Sequence, residues 1–83
     1  MNQAIQFPER ETWDEARQAV CFPALAGGIQ LICAIRGETL VARYGETDEP
    51  LALFRCRRWD LEEEAEQRIR DQEEDESGWL WLS

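Results

Sequence analysis

An α+β fold is the class that this 83-residue sequence predicts, and three stretches carry the prediction. Residues 51–69, LALFRCRRWDLEEEAEQRI, place Leu51, Phe54, Leu61, Ala65 and Ile69 on one stripe when wound at 100° per residue. Gly27-Gly28 separates two apolar runs of similar length, which predicts a β-hairpin. Trp79-Leu80-Trp81-Leu82 is apolar on both faces and predicts a closing strand laid back onto the sheet. Together they predict a single domain over residues 1–83, in the order β-β-β-α-α-β. Its sheet is three- or four-stranded and mostly antiparallel, with one short and one long helix on one face.

The first strand is expected over residues 3–7, where Ile5 and Phe7 alternate with polar neighbours and Pro8 ends the run. Residues 9–17 are charged and lack a helical stripe, so a loop or single turn is expected there, with Trp13 covering one end of the core. The hairpin follows. A two-residue turn at Gly27-Gly28 makes every opposed pair of residue numbers add up alike, so that Val20 meets Ile35, Phe22 meets Cys33 and Ala24 meets Leu31. All six are apolar and share a face. A three-residue loop would instead pair Cys21 with Cys33, and the better apolar face favours the two-residue turn. Cys21 and Cys33 then lie on opposite faces, and Pro23, which has no N–H, needs an edge or a bulge beside it.

Residues 37–44 carry Leu40, Val41 and Tyr44 at helical spacing ahead of Gly45, and favour a helix of two turns, with a strand left open by the β-branched Val41. Thr47 or Asp48 is the expected cap of the long helix, with Pro50 inside its first turn. Asp60-Leu61-Glu62-Glu63 has the form of a second start signal, so a break or kink is expected near Trp59. Glu64 with Arg68 and Glu66 with Arg70 form i,i+4 pairs in the favoured order. The acids at 73–76 are unfavourable at a helix C-terminus, so fraying is expected there, and Ser77-Gly78 turns the chain.

Composition excludes several function classes. Eighteen acids stand against nine bases, all of them Arg, for a net charge of −9. That charge opposes binding to phosphate backbones and to anionic lipid, so neither nucleic acid nor membrane is an expected partner. No apolar run approaches the ~20 residues that span a bilayer. The three Cys, at 21, 33 and 56, lack CxxC spacing, His is absent, and no metal or cofactor is expected. MNQAIQFPERE has neither a basic nor an apolar signal region, which leads us to expect a cytoplasmic protein with reduced thiols. No catalytic or nucleotide-binding motif is visible.

Four residues stand out as binding candidates. Arg58 falls in the middle of the apolar stripe, where its guanidinium needs a partner, either an internal carboxylate or a bound anion. Trp59 points about 100° away from the stripe and, beside Arg55 and Arg57, has the composition of an interface hot spot. The acidic run from Glu62 to Glu76 reads as a solvated face without an EF-hand pattern. Cys56 lies between Arg55 and Arg57, yet no resolving Cys is near it in sequence.

The phrases MNQAIQFPERETWDEARQAVCFPAL, RWDLEEEAE and the closing GWLWL resemble the YrdB-like family of small bacterial proteins (domain of unknown function 1488), essentially end to end. The resemblance implies an α+β single domain and brings no activity, so no catalytic residue follows from it. It further implies a core of the form Phe-x-x-x-Arg-x-x-Ile-x-x-x-Ala, matched here by Phe54, Arg58, Leu61 and Ala65 with Leu in place of Ile. A role for Arg58 is implied, structural or functional. Two readings of function result: a small interaction or regulatory protein contacting another protein through Arg55, Arg57, Arg58 and Trp59, or a binder of a small anion or metabolite, or a minor enzyme, organised on Arg58.

Overall fold

The computed structural model describes residues 5–82. Its elements run β1 (Ile5–Gln6), β2 (Thr12–Asp14), β3 (Ala19–Ala26), β4 (Ile29–Arg36), α1 (Gly37–Tyr44), α2 (Pro50–Cys56), α3 (Arg58–Arg70) and β5 (Trp79–Leu82). One sheet holds all five strands in the order β1-β3-β4-β5, with β2 also pairing β3 beside β1. Three of the pairings are antiparallel; β5 alone runs parallel to its neighbour, β4. A parallel pairing needs a crossover, and the three helices supply it.

The hairpin has the expected two-residue turn. Gly27 and Gly28 adopt φ of 59° and 83°, the left-handed geometry a primed turn requires and that glycine adopts without strain. Val20 lies opposite Ile35, Phe22 opposite Cys33 and Ala24 opposite Leu31. Cys21 is instead opposite Ala34, so it and Cys33 are on different faces. The register makes Ala26 and Ile29 the hydrogen-bonded pair beside the turn, which directs the Pro23 nitrogen away from β4. There it meets a gap, because β2 pairs only as far as Cys21 and β1 begins at Leu25.

One face of the sheet forms the core with the helices. Val20, Phe22, Ala24, Cys33, Ile35, Leu80 and Leu82 meet Leu40, Phe54, Leu61, Ala65 and Ile69, all of them buried. Phe22 and Phe54 pack ring to ring at 4.8 Å across the two layers. Among the described residues no helix packs over the opposite face. Trp79 and Trp81 stack there at 5.9 Å, with the guanidinium groups of Arg17 and Arg36 over their rings at 4.5 and 5.2 Å. Cation–π contact of this kind lets a charged side chain cover an aromatic one without losing water. Ala19 and Ala34, on that same face, are fully buried.

Three local expectations are corrected. Residues 12–14 are a strand rather than a loop, because pairing with Cys21, Val20 and Ala19 holds them extended. Trp13 does pack against the core, and its ring approaches so closely that a Cβ at Gly37 would lie 3.0 Å from it. The break expected near Trp59 does occur, at Arg57 (φ −112°, ψ 19°), but Asp60 lies in the first turn of α3 rather than at its cap. Neither Thr47 nor Asp48 caps α2; Glu49 holds the cap position, and the Thr47 hydroxyl accepts from the Glu49 N–H. Residues 3 and 4 of the expected first strand lie outside the described residues.

The C-terminus of α3 is closed rather than frayed. Gln72 takes the left-handed conformation, φ 57°, while the Glu73 N–H donates to the Arg68 carbonyl and the Gln72 N–H to that of Ile69. This is a Schellman-type end with Gln where Gly is usual. Both expected i,i+4 pairs form, Arg68 to Glu64 at 3.4 Å and Arg70 to Glu66 at 3.0 Å. Arg43 reaches Glu64 with both guanidinium nitrogens, at 2.7 and 3.0 Å, and ties α1 to α3.

Candidate functional site

The break at Arg57 places Arg55 on the end of α2 and Arg58 at the start of α3, and both side chains turn to the same carboxylate. Glu11, in the charged stretch before β2, receives Arg58 Nη2 at 2.5 Å on one oxygen and Arg55 Nε at 2.8 Å on the other. The Glu11 side chain is only 6% exposed and that of Arg58 16%, so this pair is largely shielded from water. Arg58 Nη1 also donates to Glu62 Oε2 at 3.2 Å, and its guanidinium lies over the Phe54 ring at 5.4 Å. Burial pushes the Glu11 carboxyl up, but the guanidinium groups of Arg58 and Arg55 outweigh it and bring the pKa down from 4.5 to about 2. Arg58 is correspondingly raised, chiefly by Glu11.

Arg57 takes a third course, with its guanidinium over the Tyr44 ring at 4.9 Å. Trp59, two residues past the break, is 86% exposed. It lines a shallow depression of about 440 Å³ with Ile5, Phe7, Glu62, Glu63 and Glu66. A larger, open cleft of about 1280 Å³ lies elsewhere, between the β2–β3 turn, the start of α1 and the α1–α2 connection. Arg17, Arg36 and Arg55 line that cleft together with Glu38, Glu46 and Asp48, but Arg58 does not.

The four candidate residues are therefore neighbours in sequence with different surroundings. Arg58 is held by two carboxylates, Arg55 by one, Arg57 by an aromatic ring, and Trp59 projects into solvent. Sequence reasoning missed Glu11, whose partners lie more than forty positions along the chain and follow no local pattern. It also treated Ile5 and Phe7 only as sheet residues, although their alternation was the signal that set them on one face.

No group of three or more Cys, Asp or Glu among the described residues could hold a metal ion. Cys33 is buried, and burial pushes its thiol up to about 12; Cys56 is exposed on α2. No helix among the described residues is long and apolar enough to cross a membrane.

Comparison with known proteins agrees with this architecture. Uncharacterized protein YrdB of Escherichia coli (strain K12) is 63% identical over 84 residues, covering 99% of both chains. The protein of the same name from Shigella flexneri is 62% identical with the same coverage. The crystal structure of a protein of unknown function from the DUF1488 family of Shewanella loihica PV-4, at 1.60 Å resolution, superposes with a TM-score of 0.87. It is 34% identical and covers 99% of this chain and 94% of its own. The family model "Protein of unknown function (DUF1488)" matches residues 5–82, and the chain belongs to that family.

Proposed function

We propose that this chain is a small cytoplasmic protein-interaction module whose contact surface is centred on Trp59. One observation carries the reading: a tryptophan left 86% exposed on the first turn of α3, beside a shallow depression floored by Ile5 and Phe7 and rimmed by glutamates. Burying one Trp side chain contributes several kcal/mol of solvent transfer, and exposed Trp anchors are enriched where proteins meet. Arg57 precedes it at the helix break, while Arg58, gripped by the same Glu11 that holds Arg55, supports it from within by fixing the angle at which α3 leaves α2. The alternative, an anion site organised on Arg58, is disfavoured because Glu11 and Glu62 already occupy that guanidinium.

The test is photocrosslinking in cells from a benzophenone amino acid placed at Glu63, which is exposed and lines the depression, with Glu76 as the exposed control position. A discrete crosslinked species from position 63 that disappears in the Trp59→Ala background is the expected result. Equal crosslinking from both positions, or a species indifferent to Trp59, would remove the proposal.

A further inference from the structure

The two large apolar side chains left exposed among the described residues are Trp59, at 86%, and Ile29, at 64%. They belong to one surface. Ile29 pairs with Ala26 across the hairpin, and Ala26 pairs with Ile5. Alternation puts these three on the helix-bearing face of the sheet, in a row across its turn end. Ile5 and Phe7 then line the depression that Trp59 closes. The result is a continuous apolar strip running Ile29, Ala26, Ile5, Phe7, Trp59.

The strip has a definite length and a definite charge. Neighbouring strands lie about 4.8 Å apart, so Ile29 to Ile5 spans roughly 10 Å. Seven residues of α-helix rise about the same distance, which matches apolar anchors at i and i+7 on Ile29 and Ile5, with Trp59 farther along the strip. Every polar side chain lining the depression is a carboxylate, from Glu62, Glu63 and Glu66. Arg58 and Arg70 neutralise Glu62 and Glu66, but among the described residues Glu63 has no ion pair, and neither has the exposed Asp60 beside Trp59.

Resting on the Trp59 reading, we infer that the occupant of this strip is a basic amphipathic helix from another protein. Its apolar face lies along Ile29, Ile5 and Trp59, and its Lys or Arg residues meet Glu63 and Asp60. A second copy of this chain is the wrong partner on charge, because each copy carries −9 and the two would repel. The same sign turns away nucleic acid and anionic lipid.

The test is selection of random 16-residue peptides displayed on phage against the full chain, followed by binding of labelled winners to wild type, Trp59→Ala and Ile29→Asp. Both variants change exposed side chains, and circular dichroism with a cooperative melt verifies that each is folded. The expected winners carry net positive charge and apolar residues at three- and four-residue spacing. Trp59→Ala should weaken them by about 30-fold and Ile29→Asp by about tenfold. Winners that need Trp59 but are neutral or acidic, or ignore Ile29→Asp, overturn the basic-helix inference and leave the Trp59 surface standing. Winners indifferent to both substitutions, or no enrichment, overturn both. Sedimentation showing a dimer that Ile29→Asp dissolves would assign the strip to a second copy and overturn the inference as well.

Discussion

Glu11→Gln isolates the ion cluster at the helix break with almost no change in shape. The wild-type carboxylate titrates near 2 in the fold and near 4.5 in an ordinary environment. Those two values differ by ~2.5 pH units, which at ~1.36 kcal/mol each sets a ceiling of ~3.4 kcal/mol on the ionised group's contribution. Gln retains an acceptor for the two arginines, so the expected loss at pH 7 is smaller, about 2 kcal/mol. For a domain of this size that lowers Tm by about 8–15 °C. The folded pKa is the depressed one, so the contribution is complete above about pH 5, declines as pH falls toward 2, and is absent below. Urea unfolding of wild type and variant, followed by circular dichroism from pH 7 to pH 2.5, reads the difference directly. The other carboxylates are common to both proteins and cancel. The gap should narrow by more than half by pH 3. A gap under about 0.5 kcal/mol at pH 7, or one that persists unchanged at pH 3, would refute the reasoning. A double-mutant cycle with Arg58→Met then apportions the coupling, and the cycle should close with a clear interaction energy rather than additivity.

Two further outcomes follow from burial. Phe54 is fully buried against Phe22, and Phe54→Ala should cost about 3–5 kcal/mol in urea unfolding; a loss below about 1.5 kcal/mol would show that the two layers are not pinned there. The three thiols should react with an aromatic disulfide reagent in the order Cys56, Cys21, Cys33, with Cys33 modified only through unfolding. A single common rate for all three would contradict the placement of Cys33 in the core.

Where neighbours in sequence are neighbours in space, the fold could be read ahead. The hairpin register followed from two glycines and the better of two apolar faces, and α1 from apolar spacing before Gly45. The Arg68–Glu64 and Arg70–Glu66 pairs followed from i,i+4 geometry. Where structure depends on distant partners, local pattern failed. Thr12-Trp13-Asp14 has no strand signature of its own and is extended because β3 pairs with it. Arg57 terminates α2 without Gly or Pro, and the carboxylate that grips both sides of the break is Glu11. For the candidate site, the sequence picked out Arg58 and Trp59 as anomalies but could not distinguish the paired one from the free one. The Ile29 end of the strip was invisible until β1, β3 and β4 were aligned across the turn end.

The parallel pairing of β4 with β5 sets an order of events during synthesis. β3 and β4 can zip locally as soon as both have been made, since their contacts close around a two-residue turn. The other edge of β4, where Ile32–Ile35 will be paired, has no partner until Trp79–Leu82 has been translated, more than forty residues later. Throughout that interval the nascent chain presents an uncharged, β-rich edge with Cys33 and Ile35 still lacking Leu80 and Leu82 beside them. Such an edge is a template for pairing with other chains. β5 is therefore the strand that caps it, and a chain cut off within α3 would be left with a sticky, unpaired β4 edge.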